Sequence, residues 1–226
     1  METMRAPFPP EVAFDLPGWE LFWAELEPTG TGAVELALLR HAVTERVRER
    51  LRLETLSEHP AVFGLRKLFR RAGCEPTRYR SGSEALLRRV LKGEELPAVN
   101  PLVDLGNCVA AELATNVCVM DAEKAAPPFR LRAGRAGEQM LSLRGLFDLE
   151  GKPVLLDANG PADVPITGAD RLRVTEATRR AWLLVYAAEG VFPREQVEET
   201  VRRLLAEAPV ARLLAFGVSP GGRSRR

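Results

Sequence analysis

Apolar residues recur with helical spacing at Leu36, Leu39, Val43, Val47 and Leu51, and Arg and Glu occupy the opposite face. That period predicts one long amphipathic helix across 33–56. The segment 59–73, HPAVFGLRKLFRRAG, predicts a second helix, with Pro60 suited to its first turn and Gly73 to its C-terminal stop. A loop at 74–82 leads into a third helix over 81–93. There Ser81 and Glu84 have the spacing of a capping box, and Gly93 ends the element. A turn-rich connector at 95–101 precedes LVDLGNCVAAEL (102–113), a fourth helix that puts Asp104 and Asn107 one turn apart on one face. Strand-like pieces follow at 129–134, 138–143 and 152–160. The glycine- and proline-rich stretch 157–170 is expected to be a loop. Segments 174–190 and 193–208 predict two late helices, 212–219 a last strand and 220–226 a disordered basic tail. The first 32 residues, rich in Pro, Gly and aromatics, predict a strand or two with turns. Helices and strands are mixed rather than strictly alternating, which favours an α+β fold.

A chain of 226 residues suits one domain or two small ones and buries a real core. Its longest apolar runs fall far short of the roughly 20 residues of a membrane helix, so no membrane partner is expected. No basic-then-apolar leader is read at the N-terminus. Cys74, Cys108 and Cys118 are odd in number and widely spaced, which argues for a reducing compartment and a cytoplasmic location. They lack CxxC spacing and no HExxH occurs, so no metal is expected. GPADVPITG matches neither GxGxxG nor a P-loop, and no cofactor is expected. His41 lies inside the first helix and His59 directly before Pro60; both read as structural, which leaves a Ser-His-Asp triad poorly supported.

Net charge is +1 but unevenly spread. Residues 1–63 hold 6 basic and 11 acidic residues, whereas 64–92 hold 9 basic and 2 acidic. The nine are Arg66, Lys67, Arg70, Arg71, Arg78, Arg80, Arg88, Arg89 and Lys92. They form either a phosphate-binding face or a solvated helix surface, and charge alone does not separate the two. Asp104, Asn107, Asp121 and Asp157 all lie beside apolar runs, where a carboxylate or amide must find partners or stay wet. They are either side-chain caps of helix ends and turns or a polar ring in a ligand pocket.

Three stretches in this order resemble the B3/B4 domain of the phenylalanyl-tRNA synthetase β subunit and its free-standing relatives. The first is SGSEALLRRVLKGEELPAVNPLVDLGNCVAAEL, with Val103, Asp104, Asn107, Glu112 and Leu113 in the family's helix pattern. The second is VMDAEK followed by FRLRAGRAGEQMLSLRG, with an arginine strand and a Gly-Glu turn at Gly137 and Glu138. The third is VLLDANGPADVPITGADRLRVTEAT, with Asp157, Gly160, Pro161, Gly168, Val174 and Thr178 in the family's spacing. The resemblance covers about residues 60–190. It divides the chain into an N-terminal strand and long helix (1–59), a B3/B4-like domain (60–190), and a C-terminal helix, strand and tail (191–226).

The resemblance implies an α+β fold with a pocket between two subdomains, and in the synthetase that pocket hydrolyses tyrosine wrongly attached to tRNA. Where the synthetase helix has a Thr before the Asn, this chain has Gly106, a change that opens space. Cys118 stands in place of a His, and Asp170 in place of a Glu that follows paired glycines, here Gly168 and Ala169. Asp104, Asp121 and Asp157 are then scaffold at the pocket. Gly106, Asn107, Cys118, Gly168 and Ala169 line it, and Asp170 is the catalytic candidate. The chain is too short to hold a synthetase catalytic domain, so aminoacylation is excluded. Three functions remain open. One is trans-editing hydrolysis of mischarged aminoacyl-tRNA, with the cations from Arg66 to Lys92 holding the RNA. The second is a non-catalytic tRNA- or RNA-binding module, and the third a binding protein for an amino-acid-like metabolite. The expected partner is tRNA or aminoacyl-tRNA rather than DNA.

Overall fold

The segment 181–188, AWLLVYAA, lies in the middle of the molecule as a strand, although its unbroken apolar run reads as part of a helix over 174–190. In the computed structural model, which describes residues 8–220, this strand is β10 (Ala181–Ala188). It pairs antiparallel on one side with β2 (Trp19–Pro28) and on the other with β3 (Asn116–Asp121). A further strand, β11 (Ala211–Pro220), lies antiparallel on the outer edge of β2, giving a four-stranded sheet in the order β11-β2-β10-β3. Both faces of this sheet are covered, so the inner strand β10 carries apolar residues at every position instead of alternating. That is why period alone did not separate strand from helix here.

On one face, Phe22, Ala24 and Leu26 of β2 and Leu183, Val185 and Ala187 of β10 meet helices α1 (Ala33–Arg50), α4 (Pro101–Leu113) and α5 (Arg194–Glu207). On the other, Trp19, Leu21 and Trp23 and Trp182, Leu184 and Tyr186 meet helix α2 (Pro60–Ala72) and a second sheet. The second sheet has the order β1 (Val12–Phe14), β4 (Phe129–Ala133), β7 (Pro153–Asp157), β8 (Gly160–Val164), β9 (Thr167–Gly168). Trp23, Phe129 and Trp182 form a ring cluster at this junction, with centroids 5.3 to 5.8 Å apart. Each large side chain buried there contributes about 1.5–3 kcal/mol through apolar surface removed from water. A hairpin of β5 (Gln139–Ser142) and β6 (Gly145–Asp148) stands apart as its own two-stranded sheet. The result is the expected α+β class. The spans 1–59, 60–190 and 191–226 each contribute strands to one central sheet.

Local signals set the helix ends. Gly73 caps α2 with φ +100°, which glycine adopts without steric cost. At α3 (Gly82–Leu91), Ser81 accepts from the Glu84 N–H at 3.2 Å. The Glu84 carboxylate turns instead to Arg66 and Arg88, so the box closes from one side only. Helix α1 stops at Arg50 rather than continuing to 56, with Leu51 extended and the Arg52 guanidinium donating to the carbonyls of Arg48 and Glu49. The 157–170 stretch is not a plain loop. It holds β8 and β9, and β3 too is a strand that the apolar pattern did not single out. Residues 221–226, most of the expected disordered tail, lie outside the described residues. No helix among the described residues is long and apolar enough to cross a membrane.

Candidate functional site

A cavity of about 390 Å³ opens where α4, β3, the first turn of α3 and the β8–β9 turn converge, between the helix-backed sheet and the second sheet. The tip of the β5–β6 hairpin adds Leu143 and Arg144 to its lining. Hydrogen bonds tie the walls to one another. The Ser83 N–H donates to Asn116 Oδ1 at 3.2 Å, joining α3 to β3. The Gly82 N–H donates to the Pro165 carbonyl at 3.0 Å, and the Leu143 N–H to the Gly168 carbonyl at 3.1 Å. Val103, Val117, Val119, Leu86 and Ala110 make much of the lining apolar, with a few polar groups set into it. That is the usual make-up of a small-molecule site.

Helix α4 reaches the cavity because its N-terminus is well tied. Asn100 caps it by accepting from the Leu102 N–H at 3.0 Å. Asp104, buried one turn in, accepts from the N–H groups of Val99 at 2.8 Å and Asn100 at 3.3 Å. Burial pushes the Asp104 carboxyl up from its ordinary value, against the opposing pull of those two N–H groups and of Arg40. Gly106 lines the cavity, but the room there is already taken: a Cβ on it would stand 2.6 Å from Val119 Cγ2. The expectation that glycine opens space is thus corrected, because Val119 of β3 packs against the bare backbone. Asn107, on the cavity wall and half-buried, makes no side-chain hydrogen bond among the described residues. Its amide is available to a ligand.

The most unusual group of the cavity is Asp163 of β8, which the sequence did not single out. It is 2 % exposed. The Tyr186 hydroxyl donates to its Oδ2 at 2.7 Å, and the Cys118 thiol is hydrogen-bonded to it. No Lys, Arg or His pairs with it among the described residues. Burial therefore dominates, and the carboxyl is pushed up to about 7, with the bonds from Tyr186, Cys118 and the Val164 N–H pulling the other way. Burial, then the nearby Asp163, raises both Tyr186 and Cys118 well above their ordinary values, so the phenol and thiol stay protonated. The absence of a side chain at Gly168 matters to this group: a Cβ there would stand 3.4 Å from Asp163 Oδ1.

The other expected site residues distribute as follows. Gly106, Asn107, Cys118 and Gly168 line the cavity. Ala169 is buried just outside it, against Met140, Leu149, Val154 and Val164. Asp170 is not among the lining residues; it sits in a short turn over Asp170–Leu172, its Oδ1 3.6 Å from Arg173 Nε. Asp157 is engaged by both guanidinium nitrogens of Arg171, at 2.6 and 3.0 Å, and by the N–H groups of Ala126 and Asn159. Asp121 accepts from the Thr178 hydroxyl at 2.8 Å and the Glu123 N–H at 3.0 Å, with Lys124 at 3.2 Å. Both hold strand and turn geometry.

The nine cations of 64–92 divide in two. Arg66, Arg88 and Arg80 surround the buried Glu84 at 2.8, 3.1 and 3.9 Å, and Arg89 pairs with Glu94 at 2.6 Å. Lys67 and Arg78 lie over the rings of Phe63 and Tyr79. With Arg70, Arg71 and Lys92 they are exposed and form no ion pair among the described residues. Arg144, at the cavity, also has none. The charge excess thus reads partly as scaffold and partly as free surface. His41, Glu45 and Glu95 come together on the surface, but Glu45 and Glu95 are both already engaged by Arg48.

The family model of the B3/4 domain matches residues 64–212 of this chain. The phenylalanine–tRNA ligase β subunit of Bartonella henselae is 30 % identical over 127 residues, covering 55 % of this chain and 15 % of that protein. The Bartonella quintana β subunit is 30 % identical over 128 residues, with the same coverage. The chain thus spans about a seventh of the length of these relatives. An N-terminal fragment of the Pyrococcus horikoshii phenylalanyl-tRNA synthetase β subunit aligns over 96 % of this chain and 52 % of the fragment, at 13 % identity and a TM-score of 0.46.

Proposed function

Because the chain belongs to the B3/4 domain family, we propose that it acts on tRNA carrying a wrong amino acid, receiving the aminoacyl group in the cavity and hydrolysing its ester. The observation that carries this reading is the cavity itself. Gly106, Asn107, Cys118 and Gly168, drawn from α4, β3 and β9, converge on one space of about 390 Å³. An aminoacyl ester is already activated, so a held substrate and a positioned water do most of what the reaction asks. Asn107 is the side chain we assign to that holding, since its amide has no partner among the described residues. Lys67, Arg70, Arg71, Arg78 and Lys92 provide exposed cations for the phosphate backbone, which makes the affinity salt-dependent.

A second reading, tRNA binding without turnover, is favoured by one observation. Asp170, the carboxylate that the sequence resemblance implies for catalysis, lies off the cavity beside Arg173. The test is release of amino acid from total tRNA mischarged in turn with each amino acid. Hydrolysis is expected to exceed the spontaneous rate by about 10²-fold or more for at least one of them, and to fall about tenfold in Asn107→Ala. Salt-sensitive tRNA binding with no release establishes the binding module instead. Failure of both removes any RNA role and leaves the metabolite pocket.

A further inference from the structure

Asp163 is a buried carboxylate in a cavity wall, hydrogen-bonded by the Tyr186 hydroxyl, the Cys118 thiol and the Val164 N–H, and no cation pairs with it among the described residues. A carboxylate buried for structure alone normally acquires a countercharge, as Asp157 does from Arg171 and Glu84 from Arg66. Tyr186 fixes Oδ2, while Oδ1 lies near the bare backbone of Gly168, on the cavity side. Among the described residues, Arg144 on the exposed hairpin tip is the lining cation that forms no ion pair. The cavity is therefore polarised, with a buried acid in its wall and a cation at its exposed rim, and Val103, Val117, Val119 and Leu143 make its lining partly apolar.

We infer that Asp163 is the specificity-determining anchor of this cavity and takes the α-ammonium of an amino acid or aminoacyl group with an apolar side chain, while Arg144 takes the carboxylate or phosphate end. This deepens the function proposed above and rests on the same cavity. The ammonium supplies the countercharge that the chain withholds, and the donors of Tyr186 and Cys118 keep the carboxylate oriented toward it. Tyr186 on β10 and Cys118 on β3 are the titratable groups facing Asp163, and both are protonated at neutral pH. Binding of the cation then favours the ionised carboxylate and displaces any proton it carries to solvent.

The experiment is calorimetric titration of the whole chain with the free L-amino acids, each apolar one paired with the α-hydroxy acid that bears the same side chain. At least one apolar amino acid is expected to bind, with its hydroxy counterpart at least tenfold weaker. Asp163→Asn is expected to erase that preference. Gly168→Ala provides the second variant: its methyl meets Asp163 Oδ1 at ordinary contact distance, so the fold accommodates it while the approach to Oδ1 narrows. Its amine preference is expected to shrink severalfold. Arg144→Ala is expected to weaken amino and hydroxy acids alike and leave the preference intact. Binding of no amino acid, equal binding of the two classes, or an Asp163→Asn protein that keeps the preference overturns the inference. Hydrolysis of mischarged tRNA without any amine preference sinks this assignment but not the editing function. Amine-selective binding without hydrolysis does the reverse.

Discussion

Asp157 and Asp163 stand at opposite ends of one pair of neighbouring strands, β7 and β8, and both are buried. Asp157 is saturated: a two-pronged Arg171 guanidinium and two backbone N–H groups fill its oxygens. Asp163 has a phenol, a thiol and the Val164 N–H, and no charge partner among the described residues. The first arrangement closes a turn and fixes the exit of β7. The second leaves a carboxyl that titrates close to neutrality beside an open cavity. Two aspartates six positions apart thus separate scaffold from site by what surrounds them, not by what they are.

Arg171→Ala leaves Asp157 buried without its cation, and removing one partner of a buried pair costs about 3 kcal/mol or more. Arg171 is a third exposed, so the lower end applies, read as a fall in urea midpoint at unchanged slope. A smaller loss is expected from Gly106→Thr, which drives a Cβ into Val119: overpacking of this kind costs about 1–3 kcal/mol. Most of that loss should return in the double variant with Val119→Ala, which makes room on the strand side.

From the site side, the effect depends on pH. The folded-state value of Asp163 lies above its unfolded value of 3.8, at about 7. The folded chain then holds more protons than the unfolded chain between about pH 4 and 7, so this group's contribution to stability falls as pH rises through that window. Asp163→Asn, which keeps a hydrogen-bonding group but cannot ionise, is expected to show a flatter stability profile from pH 4 to 7. A profile parallel to the wild type would remove the contrast. The smallest effect is expected at Asp170→Asn. This partly exposed residue off the cavity should change stability by no more than about 0.5 kcal/mol and leave hydrolysis of mischarged tRNA at the wild-type rate.

The helix ends of α2 and α3 were legible because their signals are local. Pro60, Gly73 and Ser81 act within one turn of where they stand. Strand β10 was not, because a strand covered on both faces loses the alternation that identifies strands, and AWLLVYAA then resembles any apolar run. β8 and β9 were hidden by Gly160, Pro161 and Pro165, which read as turn chemistry. In the site, Gly106, Asn107, Cys118 and Gly168 were reached through family resemblance, not through residue chemistry. Asp163 escaped because nothing near it in sequence marks it. Its character comes from a tyrosine 23 residues away and from a cysteine of β3, contacts that exist only once the two sheets face each other. Conversely, the charge of segment 64–92 overstated the free surface, since Arg66, Arg80 and Arg88 are spent on one buried glutamate that the sequence marked only as part of a cap.

Among the described residues no cation pairs with Asp163 at the cavity, and carboxyl-carbon NMR of aspartate-labelled protein, titrated from pH 3 to 9 and assigned with Asp163→Asn, reads the consequence at the group itself. The Asp163 resonance is expected to titrate with a midpoint near 7. A midpoint in the ordinary aspartate range near 4 would contradict it, because it would mean that a charge partner or solvent already compensates the group.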